Sequence, residues 1–212
     1  ISFRLDGLEN EVTNIKENRV IQASDASKAS DAYNSYSYPE LAPIQKAEDF
    51  DTPEKRADWW IDLEEQWQKA FCVGVLQKSE YYTPSDEEIQ SIFSVPHVRL
   101  IGPRGMHPSI DFELTNLSGL KHLTNLKMIF ITHNVLTDLK GIEHLVDLEA
   151  LFVSSNKLTN IKEVHYLPQL KQLYVNANQI TDIIPVKQLI NLELLYCCYN
   201  QLNSFAGITS EH

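Results

Sequence analysis

Three residues near the middle of the sequence have the side chains of a hydrolase active site: His107, Ser109 and Asp111. In such a site a histidine takes the proton from a serine nucleophile, and an aspartate orients the histidine. That arrangement depends on geometry, and three residues within one short loop do not supply it. We therefore predict no catalytic triad and expect the protein not to be an enzyme.

Histidines that could bind a metal ion recur at His122 and His144, with His165 nearby. The sequence shows no carboxylate pattern that would orient their rings, as metal-binding histidines usually require. Solvated surface histidines are the simpler interpretation. A glycine-rich phosphate-binding loop is also missing from the sequence, so we predict neither a metal nor a cofactor.

The three cysteines are Cys72, Cys197 and Cys198, an odd number with two of them adjacent. This is a poor basis for a disulfide framework, and Cys197 is better interpreted as a small buried hydrophobic residue. The pattern favours a reducing, cytoplasmic location. The chain begins at Ile1 rather than at methionine, so a secreted or anchored form stays open.

The net charge of −11 is concentrated in one half of the chain. Residues 1–94 contain 9 Lys and Arg against 19 Asp and Glu, whereas residues 95–212 contain 9 against 10. A nucleic-acid-binding protein needs a basic surface to displace counterions from phosphates. No nucleic-acid partner is therefore predicted, and no apolar run approaches the ~20 residues that span a bilayer.

The most regular feature of the sequence is a 22-residue period marked by asparagine. The pattern Leu126-x-x-Ile129-x-Ile131-x-x-Asn134 recurs three times without insertion, ending at Asn156, Asn178 and Asn200. Residues two apart point to the same side of a strand, so the two apolar positions face a core. An asparagine amide both donates and accepts hydrogen bonds, which suits a structural ladder at the turn after each strand.

This pattern resembles the leucine-rich repeat family in its short, internalin-like form. The resemblance covers about residues 95–210. It implies an α/β solenoid with short parallel strands on its concave face and protein recognition through that face. We count about five repeats in residues 95–212, of which the first is degenerate and carries an insertion at 102–113.

Side chains between the buried strand positions are expected on the concave face, where one column is aromatic in every regular repeat. This aromatic column consists of Phe130, Phe152, Tyr174 and Tyr196. The residues around it that we expect to contribute to binding are Arg99, Met128, His133, Leu194 and Tyr199. Exposed aromatic residues in a line favour a protein-binding surface, although a self-stabilising ladder is the alternative.

Residues 51–94 are predicted to form a helical cap over the first repeat, because the open end of a solenoid must be covered. Thr52 and Pro53 are typical of a helix start, and Ser85 with Glu88 forms a capping box that starts a second helix. Aromatic residues at helical spacing, such as Trp67, are expected in the core.

The N-terminal 50 residues are less regular. Residues 1–22 show an amphipathic, heptad-like pattern that predicts a helix, either folded onto the body or dimerising. Residues 23–50 resemble a linker, or over 23–38 a marginal helix, which Tyr33, Tyr36 and Tyr38 could attach to the body.

At the other end, no capping segment follows the last repeat, so the strand at about 194–198 would be an open edge. A homodimer through this edge or through the N-terminal helix is one expectation. A truncated chain, or the N-terminal helix folded across the edge, is the alternative.

Together these features predict a non-enzymatic module that binds another protein through the aromatic column. A glycan-binding protein that uses the same rings is the alternative hypothesis.

Overall fold

A six-stranded sheet organises the structure, a computed structural model that describes residues 2–4, 38–103, 105 and 112–203. The strands are β1 (Ser2–Arg4), β2 (His97–Arg99), β3 (Met128–Phe130), β4 (Ala150–Phe152), β5 (Gln172–Tyr174) and β6 (Leu194–Tyr196). Their order across the sheet is β1-β6-β5-β4-β3-β2. Strands β2 to β6 are parallel, and each pairs with the strand of the next repeat.

The core runs along the whole stack, between the sheet and the return side of the repeats. Each of the parallel strands β2 to β6 sends its central residue inward, and Ile129, Leu151 and Leu173 are fully buried. Leucines of the return side, such as Leu139 and Leu145, are fully buried against them. Because side chains alternate along a strand, the residues on either side of each central position face the concave surface.

The repeating asparagines lie where the chain leaves each strand. Asn156 accepts a hydrogen bond from the backbone N–H of Leu136 (3.2 Å) and donates one to the carbonyl of Ile131 (2.8 Å), both in the preceding repeat. Equivalent bonds are made by Asn134, Asn178 and Asn200. Each amide therefore serves backbone groups of the turn that the strands do not reach.

The residue before each asparagine has a left-handed backbone. The φ angles are 60° at His133, 58° at Ser155, 53° at Ala177 and 55° at Tyr199. None of the four is glycine, and for other residues this conformation costs roughly 1 kcal/mol. The asparagine bonds on either side of the turn hold the backbone there.

The return side contains three short 3-10 helices in the described residues, at Ser118–Leu120, Lys162–Tyr166 and Ile184–Gln188. Gly119, in the first of these helices, lies directly under the ring of Trp67, and an added Cβ would overlap that ring. The cap and the first repeat are therefore in direct contact at this glycine.

Three α-helices form the cap in the described part of the chain: α1 (Pro53–Asp62), α2 (Glu65–Gly74) and α3 (Asp86–Ser94). Thr52 caps α1, and Ser85 with Glu88 forms the predicted capping box of α3. The sequence predicted one helix where α1 and α2 stand, which is wrong because α1 ends at Asp62, Leu63 is extended, and α2 begins at Glu65. The predicted solenoid with a helical cap is nevertheless confirmed.

The cap is joined internally by an ion pair. Arg56, only 4% exposed, donates two hydrogen bonds to the carboxylate of Asp86 (2.7 and 2.6 Å) and one to the carbonyl of Phe50 (3.0 Å). The guanidinium lowers the pKa of Asp86 below its ordinary value, mainly through this hydrogen bonding. The contact fixes α1 against the start of α3.

The N-terminal residues require a correction. Residues 2–4 form β1, which lies antiparallel to β6 with Ser2 opposite Tyr196 and Arg4 opposite Leu194. A helix over 1–22 is therefore wrong at these positions, and the remainder of that prediction, like residues 23–37, lies outside the described residues. The edge of β6 is not open, because β1 pairs with it, so the predicted homodimer through that edge is not supported.

Candidate functional site

The aromatic column forms an unbroken stack across four neighbouring strands. The strands are in register, so each ring lies opposite the equivalent ring of the next repeat. The ring centroids of Phe130 and Phe152 are 4.1 Å apart, those of Phe152 and Tyr174 are 4.4 Å apart, and those of Tyr174 and Tyr196 are 4.3 Å apart. The corresponding interplanar angles are 9°, 26° and 11°.

Each ring of the column is half-buried, because its neighbours cover most of its faces. The two inner rings, Phe152 and Tyr174, have a neighbour on both faces, so their edges are what solvent can reach. Stacked aromatic pairs contribute roughly 0.5–1.5 kcal/mol each beyond the area they bury. The column is thus a stabilising ladder in its own right as well as a candidate contact surface.

The hydroxyl group of Tyr174 lies in a less polar environment than water. Burial, together with the neighbouring Tyr196, raises the pKa of Tyr174 above its ordinary value of 10.0. Tyr174 therefore remains a neutral hydrogen-bond donor near neutral pH. The column combines two purely apolar rings with two rings that also carry a polar group.

The predicted flanking residues differ in how much surface they offer. Tyr199 is 87% exposed and Met128 is 37% exposed, while Arg99 is exposed at the β2 end of the column, opposite Phe130 in the pairing of β2 and β3. Leu194 is half-buried.

His133 is half-buried beneath the start of the insertion, where Gly102 and Gly105 approach it closely. Its Nδ1 has no hydrogen-bond partner among the described atoms. His133 therefore offers a partner less surface than the exposed flanking residues do, because Gly102 and Gly105 lie against it.

Charged residues border the column along the N-terminal ends of the strands. The ammonium of Lys171 pairs with the carboxylate of Glu149 at 2.7 Å, and Lys127 pairs with Asp147 at 3.2 Å. Lys171 lowers the pKa of Glu149, first by its hydrogen bond and then by its charge. Since these charges largely neutralise one another, they leave the column itself as the distinctive feature of the face.

Of the two groups of residues with possible catalytic or metal-binding chemistry, the structure describes only the histidines. His107, Ser109 and Asp111 lie outside the described residues. His122 donates a hydrogen bond from Nδ1 to the carbonyl of Gln45 (2.7 Å) instead. Within the described ranges, no group of His, Cys, Asp and Glu could hold a metal ion. In the same ranges, every helix is too short or too polar to cross a membrane.

Two clefts lie away from the concave face. One, of about 240 Å³, is lined by Phe50, Phe93 and Asn125 among others, and the second, of about 210 Å³, lies on the cap between Trp60 and Tyr81. Both are below the roughly 300–1,000 Å³ that is usual for small-molecule sites.

The return side contains contacts that the sequence did not predict. Tyr38 stacks on His165 with ring centroids 3.6 Å apart, and Glu163, beside it in the chain, is only 3% exposed. Tyrosines in a linker-like stretch indicated that the segment could attach to the body, but not that Tyr38 would contact His165. No sequence signal identified Glu163, since the equivalent position in other repeats is glycine or proline.

Known structures with a similar chain path include three proteins of Listeria monocytogenes. The functional domain of InlJ is 25% identical, with a TM-score of 0.53, over 69% of this chain and 29% of InlJ. The internalin InlF is 25% identical over 72% of this chain and 38% of its own, with a TM-score of 0.49. Internalin C2 is 33% identical over 41% and 38%, with a TM-score of 0.40. This chain therefore spans well under half the length of each structure.

No protein-family model and no curated protein sequence matches the chain. The one-strand-per-repeat sheet, the asparagine ladder and the similarity to InlJ nevertheless agree. The chain is a leucine-rich repeat protein. More particularly, it is similar to the functional domain of InlJ.

Proposed function

We propose that the chain is a non-enzymatic module that binds another protein through the aromatic column. The observation that carries the proposal is the unbroken stack of four half-buried rings on the concave face. A partner that covers the ring edges would remove apolar surface from water without having to order the rings, because stacking already orders them. Aromatic residues are also frequent hot spots of protein interfaces.

The shape of the face supports a protein partner over a small molecule. Neither of the two clefts described above borders the column, and both are small for a ligand site. A shallow face bordered by Met128, Arg99 and Tyr199 suits a large, complementary surface better. Met128 and Tyr199 favour a partner that brings apolar side chains, and Arg99 favours one with an acidic group at the β2 end of the column.

The stacking gives less support to the glycan alternative. A sugar ring packs against the open face of an aromatic ring, whereas the faces of Phe152 and Tyr174 are covered by neighbouring rings. Only the outer faces of Phe130 and Tyr196 lack an aromatic neighbour within the column. For this reason we place protein binding first.

The test compares how well the native chain and three variants capture protein partners from a native extract. Two variants change the concave face, and the third is a control on the return side. Arg99→Glu combined with Met128→Lys changes exposed residues and leaves the stack intact, while Phe152→Ala combined with Tyr174→Ala removes the two inner rings. Ile190→Ala serves as the control, because Ile190 is 88% exposed and lies on the return side.

A captured protein is then purified and its affinity measured by calorimetry for each form. We expect both concave variants to weaken binding by at least about tenfold, which is roughly 1.4 kcal/mol, and the control to bind like the native chain. Equal affinity of all four forms would show that the column is not the contact surface. If the native chain captures a saccharide instead of a protein, and the concave variants do not, the result would support the glycan alternative.

A further inference from the structure

Residues 38–50, termed the strap, lie along the return side of the solenoid, opposite to the concave face. At one end of the strap, Tyr38 stacks on His165 at 3.6 Å with an interplanar angle of 5°. The hydroxyl of Tyr166 donates a hydrogen bond to the carbonyl of Pro39 (2.8 Å). This end is therefore attached to the return side of the third repeat by a ring contact and a backbone contact.

The other end of the strap reaches the first repeat and the cap. His122 donates a hydrogen bond to the carbonyl of Gln45 (2.7 Å), and the backbone N–H of Ala47 donates to the hydroxyl of Thr124 (3.3 Å). Phe50 then enters the core of the cap. The strap thus runs from the third repeat to the first, where a short 3-10 helix at Ala47–Asp49 precedes α1.

The surface under the strap is rich in histidine. His122, His144 and Tyr166 occupy equivalent positions 22 residues apart, and His165 lies beside the last of them. The strap is held at the first and third of these positions, and His144 occupies the second, between them along the repeats. His122 and His165 therefore contact the strap directly, and His144 lies between the two points of attachment.

His165 is poorly placed to accept a proton while the strap is docked. Its Nδ1 is buried and has no hydrogen-bond partner among the described atoms, and the ring of Tyr38 covers one of its faces. An imidazolium needs an acceptor for each of its two N–H groups. Burial accordingly lowers the pKa of His165 below its ordinary value of 6.5.

His144 is affected in the same direction. Burial is the main cause that lowers its pKa, and the positive charges of Lys121 and His122 lower it further, while Glu143 opposes them. The acidic residues of the strap are Glu40, Glu48 and Asp49, and the carboxylate of Asp49 accepts a hydrogen bond from the backbone N–H of Lys46 (2.7 Å). None of the three forms an ion pair with a histidine among the described residues, so the docked strap gives the protonated rings no carboxylate partner there.

The direction of the pH dependence follows from these two histidines. A histidine whose pKa is lower in the docked state contributes its full stabilisation above about pH 6.5 and loses it as the pH falls below that value. We propose that the histidine surface of the return side is a second docking surface, occupied by the chain's own strap at neutral pH and vacated in mild acid. It lies opposite to the aromatic column and does not depend on the proposed function.

The test is hydrogen–deuterium exchange of the intact chain at about pH 7.5 and about pH 5.5, corrected for the intrinsic pH dependence of exchange. We expect the strap amides to lose protection in acid, by about tenfold for each unit by which docking lowers a histidine pKa. The amides of β4 and β5 should keep their protection. Unchanged protection of the strap, or parallel loss in strap and sheet, would overturn the proposal.

Two matched variants identify the histidine that is responsible. His165→Phe keeps a flat ring for Tyr38 but cannot be protonated, so its strap should stay protected in acid to a clearly greater extent. His97→Phe changes an exposed histidine of β2 on the concave face and should respond to acid like the native chain. If the His165→Phe form loses protection as fully as the native chain, the proposal is wrong.

Discussion

The two faces of the solenoid use the same 22-residue period differently. On the concave face the period places an aromatic ring at the same position of four strands, and the rings stack. On the return side, one equivalent position is occupied in turn by Gly119, Gly141, Glu163 and Pro185. The difference shows that strand register imposes uniformity on the sheet, whereas the return side adapts to whatever packs on it, such as the ring of Trp67 over Gly119.

The asparagine ladder serves both faces, and breaking it should have the largest effect. Asn156→Ala removes the acceptor for Leu136 N–H and the donor to the carbonyls of Ile131 and Val153, all buried. An unsatisfied buried group costs roughly 1–3 kcal/mol, so we expect the free energy of unfolding in urea to fall by about 2–4 kcal/mol. Asn160→Ala, whose bonds are long and partly exposed, is the control and should change stability by less than about 0.5 kcal/mol.

The second-largest effect on stability is expected for a substitution in the aromatic column of the concave face. Phe152→Ala removes a half-buried ring and two stacked pairs, so we expect a loss of about 2–3 kcal/mol in the free energy of unfolding. Tyr174→Phe keeps the ring and its stacking and removes only the hydroxyl, so its loss should stay below about 0.5 kcal/mol. A loss for Phe152→Ala as small as that for Tyr174→Phe would mean that ring stacking does not stabilise the column.

On the return side, a substitution at Glu163 should raise the free energy of unfolding instead of lowering it. The Oε2 atom of Glu163 is buried without a described partner. Burial raises the pKa of Glu163 above its ordinary value of 4.5. The native carboxyl is therefore best accommodated when protonated, and stability falls as the pH rises from about 4.5 through the raised pKa.

Glu163→Gln should remove that dependence and raise stability by about 1 kcal/mol at neutral pH. Urea unfolding at several pH values measures it. Parallel stability curves for the two forms would contradict this account of the buried carboxyl.

The smallest effect is expected at the charged border of the aromatic column. Lys171 and Glu149 form an ion pair at 2.7 Å, but both side chains are more than two-fifths exposed. Exposed pairs contribute about 0–1 kcal/mol and are screened by salt. Lys171→Met should lower the unfolding free energy by no more than about 0.5 kcal/mol, and less in high salt; a larger, salt-independent loss would contradict the exposed-pair account.

What the sequence predicted follows from periodicity. The 22-residue spacing set the strands, the inward leucines and the asparagine turns, because each is repeated and each repeat supports the next. The aromatic column was predictable for the same reason, since alternation along a strand fixes which side chains face outward. Ring stacking followed less directly, because it depends on the side-chain conformations of half-buried residues.

What the sequence did not predict involves contacts that occur once. Pairing of β1 with β6 joins residues almost 200 positions apart, and no repeat signals it. The heptad-like spacing of the N-terminal residues suggested a helix, but at residues 2–4 a free strand edge determined the conformation instead. The stacking of Tyr38 on His165 is likewise a single long-range contact without periodic support.

The left-handed residue before each asparagine has a consequence for how this surface can be altered. Histidine, serine, alanine and tyrosine all adopt the same φ there, so the fold specifies the backbone at these four positions and not the side chain. They lie at the rim of the concave face, and at Tyr199 the side chain is almost entirely in solvent. Single substitutions at these rim positions should therefore change which partner the concave face binds, while the asparagines and buried leucines that stabilise the fold stay the same.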